Sequence, residues 1–309
     1  MKEKKISFFT AVIVPLVQNA FRHYKRLFFP LIPSGYEKGD DAFLSVTGLF
    51  RLMLFSMALM AIAFLLVKAI SILMLTGLLR LNHINHIYTI FNIYYLPGDE
   101  SNWTDGALLV VYGIPNLIFL TGSMYLTGFI VRHRKLDWIF RLLLAWIAFQ
   151  LMAYFLADLL IATFFYKGFG IALQWLVSNN ILRIFIIVAG TIGLLYWSKR
   201  FGLMFLRCCP TRIFLNDPSI MRTWLIWVVL IPVISGPVLL LILLFFSLKI
   251  NIAITFASAL ILLPLAFRSI DYLPVVRIQK SNKVIPGFIF ILSVMIALGI
   301  VVRLLVLFV

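Results

Sequence analysis

Acidic residues are scarce in this chain, and so are the residue types that build reactive sites. Its 309 residues hold 11 Asp and Glu against 27 Lys and Arg, with four His and two adjacent cysteines, Cys208 and Cys209. Adjacent cysteines give no disulfide framework. No His precedes a Glu, so the H-E-x-x-H zinc-protease helix is absent, as are Walker A and G-x-G-x-x-G sequences. We therefore expect neither enzymatic activity nor a bound cofactor.

The chain has a low fraction of charged residues of either sign and a high fraction of apolar residues. The composition is 12% charged and 63% hydrophobic, with a mean hydropathy of +1.08. Soluble domains run at about 25% charged and about 45–50% apolar. A bilayer can accept this much apolar surface, whereas one soluble core cannot. The composition predicts an all-α, polytopic transmembrane bundle that forms a single integral domain over residues 1–309.

The net charge of +16 would suggest nucleic-acid binding in a soluble protein. Here the Lys and Arg residues lie mostly in short segments between apolar stretches. Such residues set membrane topology and contact lipid headgroups. We therefore expect the lipid bilayer, anionic lipids at basic cytoplasmic loops and other membrane subunits as partners, and no nucleic acid.

The N-terminal segment, residues 1–41, differs from the helix bundle that we predict for residues 42–309. It carries Lys2, Lys4 and Lys5, then a short apolar run from Ile6 to Val17 that contains Pro15. That run is shorter than the about 20 residues that a span needs, and no A-x-A-like cleavage site follows it. The pattern favours a basic amphipathic segment that lies in the membrane surface.

Seven apolar stretches follow, each read as one span. They are Leu52–Leu75, Ala107–Val131, Trp138–Ala162, a short stretch at Ile181–Trp197, Trp224–Phe246, Ile250–Phe267 and Pro286–Phe308. The segments between them, taken from the N-terminus, hold eight, one, three, one, five, one and four Lys or Arg residues. This alternation follows the positive-inside rule for seven spans with a cytoplasmic N-terminus.

The third span belongs to the stretch Leu136–Tyr166, around which we expect the bundle to be organised. At helical spacing, one face carries small and polar residues and the other carries large apolar residues. The first face is predicted to meet other helices and the second to meet lipid. The first set is Gln150, Ala153, Tyr154, Ala157, Asp158 and Ala162, and the second is Leu151, Met152, Phe155, Leu159 and Leu160.

Asp158 is the one acid inside a predicted span. It falls in the outer third of its span, as do Lys68 and Arg183 in theirs. A lone carboxylate is costly there. Two interpretations stay open: an ion pair with Lys68 or Arg183, or a carboxylate that couples proton or cation movement.

Two amides are predicted near the membrane midplane. At 1.5 Å per residue, Gln150 lies about 18 Å deep and Asn116 about 14 Å deep in their spans. Each could make one interhelical hydrogen bond, or both could line a polar substrate site.

Proline and glycine interrupt two spans, at Pro115 in the second and at Pro232, Gly236 and Pro237 in the fifth. Broken helices form midplane sites in transporters, but proline also produces ordinary kinks in membrane helices.

His83 and His86 stand one helical turn apart in the loop after the first span, followed by Asp99, Glu100 and Asp105. Two histidines without a fixed third ligand are weak candidates for a metal site. Interfacial histidines among tyrosines are the alternative.

One stretch of the chain, Asp105 to Arg200, resembles uncharacterised bacterial multi-pass proteins laid out like degenerate site-2 proteases. The resemblance is carried by GIPN at 113–116, by the Trp- and Gln-bearing third span, by FFYKGFGIALQWL at 164–176 and by the basic loop after the fourth span. The zinc-binding helix of the active family has no counterpart here, so no catalytic residue carries over. The resemblance implies a bacterial inner-membrane protein that is not a protease.

These observations predict a non-enzymatic membrane component, an accessory or scaffold subunit that acts through its helices. A transporter or channel for a small solute, ion or lipid is the alternative. The two differ in whether Asp158, Gln150 and Asn116 form a closed network or line a water-filled cavity.

Overall fold

The computed structural model describes residues 45–89, 92–95, 102–133, 136–164, 169–210 and 218–236, with short pieces at 258–259, 261–264, 287, 289–294 and 296–297. The N-terminal segment, the second half of the predicted fifth span from Pro237 on, and most of the predicted sixth and seventh spans lie outside the described residues. The amphipathic segment and the count of seven spans therefore stay predictions.

Helices make up nearly all of the described chain. In chain order the elements are α1 (Val46–Leu81), strands β1 (His86–Thr89) and β2 (Asn92–Tyr95), α2 (Asp105–Arg132), α3 (Trp138–Phe164), α4 (Phe169–Leu176), α5 (Asn180–Leu206), α6 (Pro218–Leu225) and a π-helical turn (Ile226–Leu230). Residues 231–236 continue as helix after the π-helical turn.

Four of these helices, α1, α2, α3 and α5, are long and apolar enough to cross a membrane. They contain the first four predicted spans, which are thereby confirmed as long apolar helices, and they indicate a membrane location. The helix that contains the fourth predicted span is longer than that span. α5 continues past Trp197 to Leu206, because Phe201, Met204 and Phe205 bury their side chains against neighbouring helices and so favour further helix.

Short polar side chains begin three of the long helices. Ser45 accepts a hydrogen bond from the Gly48 N–H at 3.0 Å, and Thr104 accepts one from the Ala107 N–H at 3.2 Å. Asn179 accepts from the Ile181 N–H at 2.9 Å. Each side chain satisfies a donor that the first helical turn leaves without a backbone partner.

The helix α3 lies at the centre of the described bundle, in contact with α1, α2, α4 and α5. Of its most apolar stretch 67% is buried, against 22% for α5. The predicted lipid-facing side is wrong, since Leu151, Met152, Phe155 and Leu159 are all buried. Large apolar side chains pack as readily against helices as against lipid, so both faces of α3 meet protein.

Aromatic side chains fix how α5 packs on α3. Phe149 meets Phe201 with ring centroids 5.3 Å apart, and Trp146 meets Phe205 at 5.1 Å, both edge-to-face. Such geometry is preferred by aromatic pairs and orients the two rings. The contacts run in opposite directions along the two helices, so α5 is antiparallel to α3.

The loop between α1 and α2 holds a short antiparallel hairpin, an addition to the all-α prediction. β1 pairs with β2 in the register His86 with Tyr95 through Thr89 with Asn92. Before the hairpin, His83 adopts a positive φ of 55°, and its carbonyl accepts a hydrogen bond from Asn102 at 2.8 Å. This bond ties the end of α1 to the start of α2.

The two proline-containing segments behave differently. α2 passes through Pro115 as one continuous helix, so the interruption predicted there is not present. In the fifth segment a π-helical turn precedes the buried Pro232. π-Helical turns interrupt the regular α-helical hydrogen-bond pattern. Of the two predicted breaks, this one is visible as a change of helix type.

Candidate functional site

Four side chains from three helices meet around the acid of α3, and we call them the polar cluster: Lys68 of α1, Asn116 of α2, and Tyr154 and Asp158 of α3. The Asp158 carboxylate interacts with the Asn116 side chain and with the positive charge of Lys68. Lys68 Nζ lies 5.6 Å from the centroid of the Tyr154 ring. The structure thus brings together three of the predicted intramembrane polar residues.

The position of Asn116 depends on the turn that carries Pro115. Proline has no N–H and its ring disturbs the preceding helical turn. The Asn116 side chain donates to the Tyr112 carbonyl at 2.9 Å in this same turn. Its amide therefore serves both the backbone of α2 and the carboxylate of α3, and Asn116 is almost fully buried.

Arg183 lies apart from the polar cluster. Its guanidinium donates to the Asn180 side chain at 2.7 Å, in the first turn of α5. In the packing of α5 on α3, the level of Asp158 corresponds to the residues just after Gly190, whose Cβ position would lie 3.5 Å from Leu159. Arg183 is about 10 Å or more farther along α5 at 1.5 Å per residue. Of the two predicted cations, Lys68 is the one beside the acid.

Gln150 lies two turns before Asp158 on α3 and is 1% exposed. Both polar atoms of its amide lack a hydrogen-bond partner within the part of the chain that the structure describes. A buried amide in this state offers two N–H donors and a carbonyl acceptor to a water or a polar ligand. Gln150 is thus separate from the polar cluster.

A second buried arrangement joins α1, α3 and the π-helical turn, and we call it the serine relay. Trp146 Nε1 donates to Ser56 Oγ at 2.9 Å, and Ser56 Oγ donates to the Val228 carbonyl at 2.6 Å. Pro232, four residues after Val228, has no N–H with which to bond that carbonyl in a helix. The hydroxyl of Ser56 satisfies it instead.

Sequence reasoning missed the serine relay, although Pro232 itself was singled out. The proline signalled that a carbonyl four residues earlier needs another donor. Serine is common in apolar helices, so nothing local identified Ser56 as that donor.

Two arginines cap the ends of helices other than their own, an arrangement that we call the arginine caps. Arg141 of α3 is buried and donates to the carbonyl of Arg207, the residue that ends α5, at 2.8 Å. Arg207 in turn donates to the carbonyl of Val131 in the last turn of α2. The carbonyls at a helix C-terminus carry partial negative charge, which favours cations there. Arg141 was missed in the sequence, where it stands as a cation four residues into the third span.

The two cysteines lie beside the arginine caps, and their thiols have low reactivity. Burial raises the pKa of the Cys208 thiol to about 12, against a smaller lowering by the Arg141 charge. Burial raises the pKa of Cys209 well above its usual value too, and the neighbouring Cys208 adds to the effect. The thiolate is the reactive form of cysteine, so both side chains are unreactive near neutral pH.

The two histidines do not form a metal centre with the side chains described around them. Nδ1 of His86 donates to the Ile84 carbonyl at 2.8 Å, while His83 is exposed. Among the residues that the structure describes, no three His, Cys, Asp or Glu side chains are grouped to hold a metal. Of the other predicted ligands, Asp105 is exposed at the start of α2, and Asp99 and Glu100 lie outside the described residues.

Comparison with known proteins yields no relative: no family model, no curated protein and no solved structure matches this chain.

Proposed function

We propose that this chain is a multi-pass protein of a bacterial inner membrane, with its N-terminus in the cytoplasm, and that it acts without catalysis as an accessory or scaffold component of a membrane complex. Four long apolar helices support the membrane assignment. The alternation of Lys and Arg between predicted spans supports the orientation. The resemblance to degenerate site-2-protease-like proteins supports the bacterial assignment.

One observation carries the scaffold role: polar groups of α3 interact with other helices of the same chain. Asp158 engages Asn116 and Lys68, Trp146 engages Ser56, and Arg141 engages the end of α5. Groups used in this way stabilise an arrangement of helices. A fixed arrangement is what a subunit needs if it acts by presenting its helices to partners.

A transporter for a small solute, ion or lipid is the second candidate, and Gln150 favours it. A buried amide whose two polar atoms lack partners among the described residues can receive a polar ligand. An intramembrane carboxylate such as Asp158 is moreover a common coupling group in transporters.

The substitution Asp158→Asn separates the two functions. If the acid is structural, its loss strands the Lys68 charge and lowers the free energy of unfolding in detergent by roughly 3 kcal/mol. Adding Lys68→Met should restore part of that stability, because removing both partners costs less than removing one. Arg183→Met is the matched control and should restore nothing. Thermal unfolding followed by tryptophan fluorescence measures the three variants and the unsubstituted chain.

A coupling carboxylate predicts a different result. Asp158→Asn would then leave the unfolding temperature nearly unchanged and abolish proton movement into reconstituted vesicles loaded with a pH-sensitive dye. Unchanged stability without recovery from Lys68→Met contradicts the scaffold role of Asp158.

A further inference from the structure

Contacts between α3 and α5 give every residue of α5 a level along α3. Arg141 bonds to Arg207 at one end, Phe149 meets Phe201, and a Cβ at Gly190 would lie 3.5 Å from Leu159. Residue numbers rise on one helix as they fall on the other. Lys199 and Arg200 are therefore level with the middle of α3, near Gln150, and not with its first turn.

Contacts with α3 also give the residues of α2 and α1 a level along α3. Phe119 meets Tyr154 with ring centroids 5.8 Å apart, and Ser123 donates to the Ala148 carbonyl at 2.7 Å. Tyr125, two residues after Ser123, is then close to the level of Gln150. On α1, Lys68 is level with Tyr154.

The exposed side chains change character at this level. Toward the end of the bundle where α5 begins, the exposed surface is made of large apolar groups. They include Leu66, Ile70 and Leu73 on α1, Ile114, Leu117 and Ile118 on α2, and Ile181, Leu182, Ile184, Phe185, Ile186, Val188 and Ile192 on α5. Toward the other end α5 buries Phe201, Met204, Phe205 and Leu206 in protein. The long helices expose fewer large apolar side chains there, namely Val46 and Phe50 on α1 and Phe140 on α3.

Aromatic and basic residues lie at the level where this change occurs, and we call them the belt: Tyr125, Tyr196, Trp197, Lys199 and Arg200. Tyr125 and Tyr196 are exposed. Lys199 Nζ lies 4.6 Å from the centroid of the Tyr196 ring, and the Arg200 guanidinium lies 4.6 Å from that of Trp197. Aromatic rings with Lys and Arg are typical of the boundary between hydrocarbon and headgroups.

The apolar band has the thickness of a membrane. From Asn180, at the start of α5, to Lys199 the helix rises about 28 Å at 1.5 Å per residue. The hydrocarbon core of a bilayer is about 30 Å thick. If the bilayer instead reached down to the first turn of α3, Lys199 and the exposed Arg200 would lie at its midplane, and the exposed apolar start of α5 would stand in water.

We infer that the cytoplasmic boundary of the bilayer meets this protein at the belt and not at the first turn of α3. This inference rests on the proposed membrane-spanning function. It puts Asp158, about 12 Å from the belt by helix rise, near the middle of the membrane and not in the outer third of a span. Gln150 moves from the midplane to the headgroup level. The arginine caps and both cysteines stand in the cytoplasm, enclosed by protein.

Cysteine reactivity in native membranes tests this placement. Phe140 of α3 and Phe185 of α5 are both exposed, 48% and 68% respectively, but they lie on opposite sides of the belt. In permeabilised membranes, a water-soluble maleimide should label Phe140→Cys at least tenfold faster than Phe185→Cys. Phe50→Cys and Leu73→Cys on α1 form a second pair and should show the same order. The unsubstituted chain is the blank because its thiols are buried, and unfolding in SDS should equalise all four rates.

Each possible result supports or overturns the placement of the bilayer boundary at the belt. The reverse order of rates would place the bilayer at the first turn of α3 and overturn the inference while leaving the protein in the membrane. Slow labelling at both positions of each pair would mean that lipid covers both levels, which also overturns it. Fast labelling at both positions would overturn the proposed membrane-spanning function itself.

Discussion

A single hydroxyl, that of Ser56, joins three separate segments of the chain. It accepts a hydrogen bond from Trp146 and donates one to the Val228 carbonyl, and all three groups are buried. Donors and acceptors buried without partners cost more than the bonds themselves contribute. The contribution of Ser56 to stability therefore depends mainly on the cost of leaving the Trp146 N–H and the Val228 carbonyl unpaired.

We expect Ser56→Ala to lower the free energy of unfolding in detergent by about 1–3 kcal/mol, since it leaves the Trp146 N–H and the Val228 carbonyl unsatisfied. Ser198→Ala is the matched control. Ser198 is equally buried, but its hydroxyl bonds to the Leu195 carbonyl of its own helix. Thermal unfolding of the two variants should show the larger loss for Ser56. Equal losses would contradict the serine relay.

The sequence predicted individual polar residues better than it predicted their partners. Asp158 is recognisable in the sequence as an acid in an apolar stretch, and Lys68 is one of two cations predicted as its possible partner. The choice between Lys68 and Arg183 depends on how far each helix is shifted against α3, which no local pattern encodes. Arg141 was missed because its role is to cap another helix, a relation visible only after packing.

At the scale of elements, the segment after α6 packs tightly on α1. Gly236 stands where an added Cβ would overlap Cε of Met60 and lie 3.0 Å from its Sδ, and Met60 is fully buried. One residue earlier, the Ser235 hydroxyl donates to the Ile231 carbonyl of its own helix at 2.7 Å and lies 3.3 Å from Met57 Sδ of α1. The absence of a side chain at Gly236 thus allows this helix to approach α1 closely.

Gly236→Ala should lower the free energy of unfolding by about 1–3 kcal/mol, because an extra carbon in a filled site forces Met60 to move. Gly193→Ala serves as the comparison, since no atom lies within 4 Å of that Cβ position. There, alanine should be neutral or stabilise α5 by up to about 1 kcal/mol. In a Met60→Ala background the penalty at Gly236 should vanish. Its persistence would mean that Met60 is not the cause.

The sequence predicts the four long apolar helices correctly. It does not predict which of their side chains face protein and which face lipid. Apolar length identifies a membrane helix because the backbone must bond internally in lipid. Leu159 and Phe155 were assigned to lipid because lipid tails and protein interiors are equally apolar to such side chains. The fourth span is predicted to end at Trp197 because Lys199 and Arg200 resemble the start of a loop. They are instead part of a helix that continues into protein.

For the whole molecule, orientation is the property that follows from charge alone. Loops rich in Lys and Arg stay in the cytoplasm. A cysteine at Asp105, the exposed first residue of α2, should react with an impermeant maleimide in intact cells. A cysteine at Pro218, the exposed first residue of α6, should react only after permeabilisation. The opposite pattern would invert the topology and contradict the charge rule for this chain.

The composition of the polar cluster has a consequence for how the protein is made. Lys68, Asn116 and Asp158 belong to α1, α2 and α3, the first three of the long helices to leave the ribosome. The carboxylate can therefore find its amide and its ammonium before α5 is synthesised. Until α5 arrives, the part of α3 that α5 will cover within the membrane, around Leu159, can face lipid tails without loss. The order of the helices along the chain therefore lets Asp158 meet its partners first and lets α5 cover α3 later.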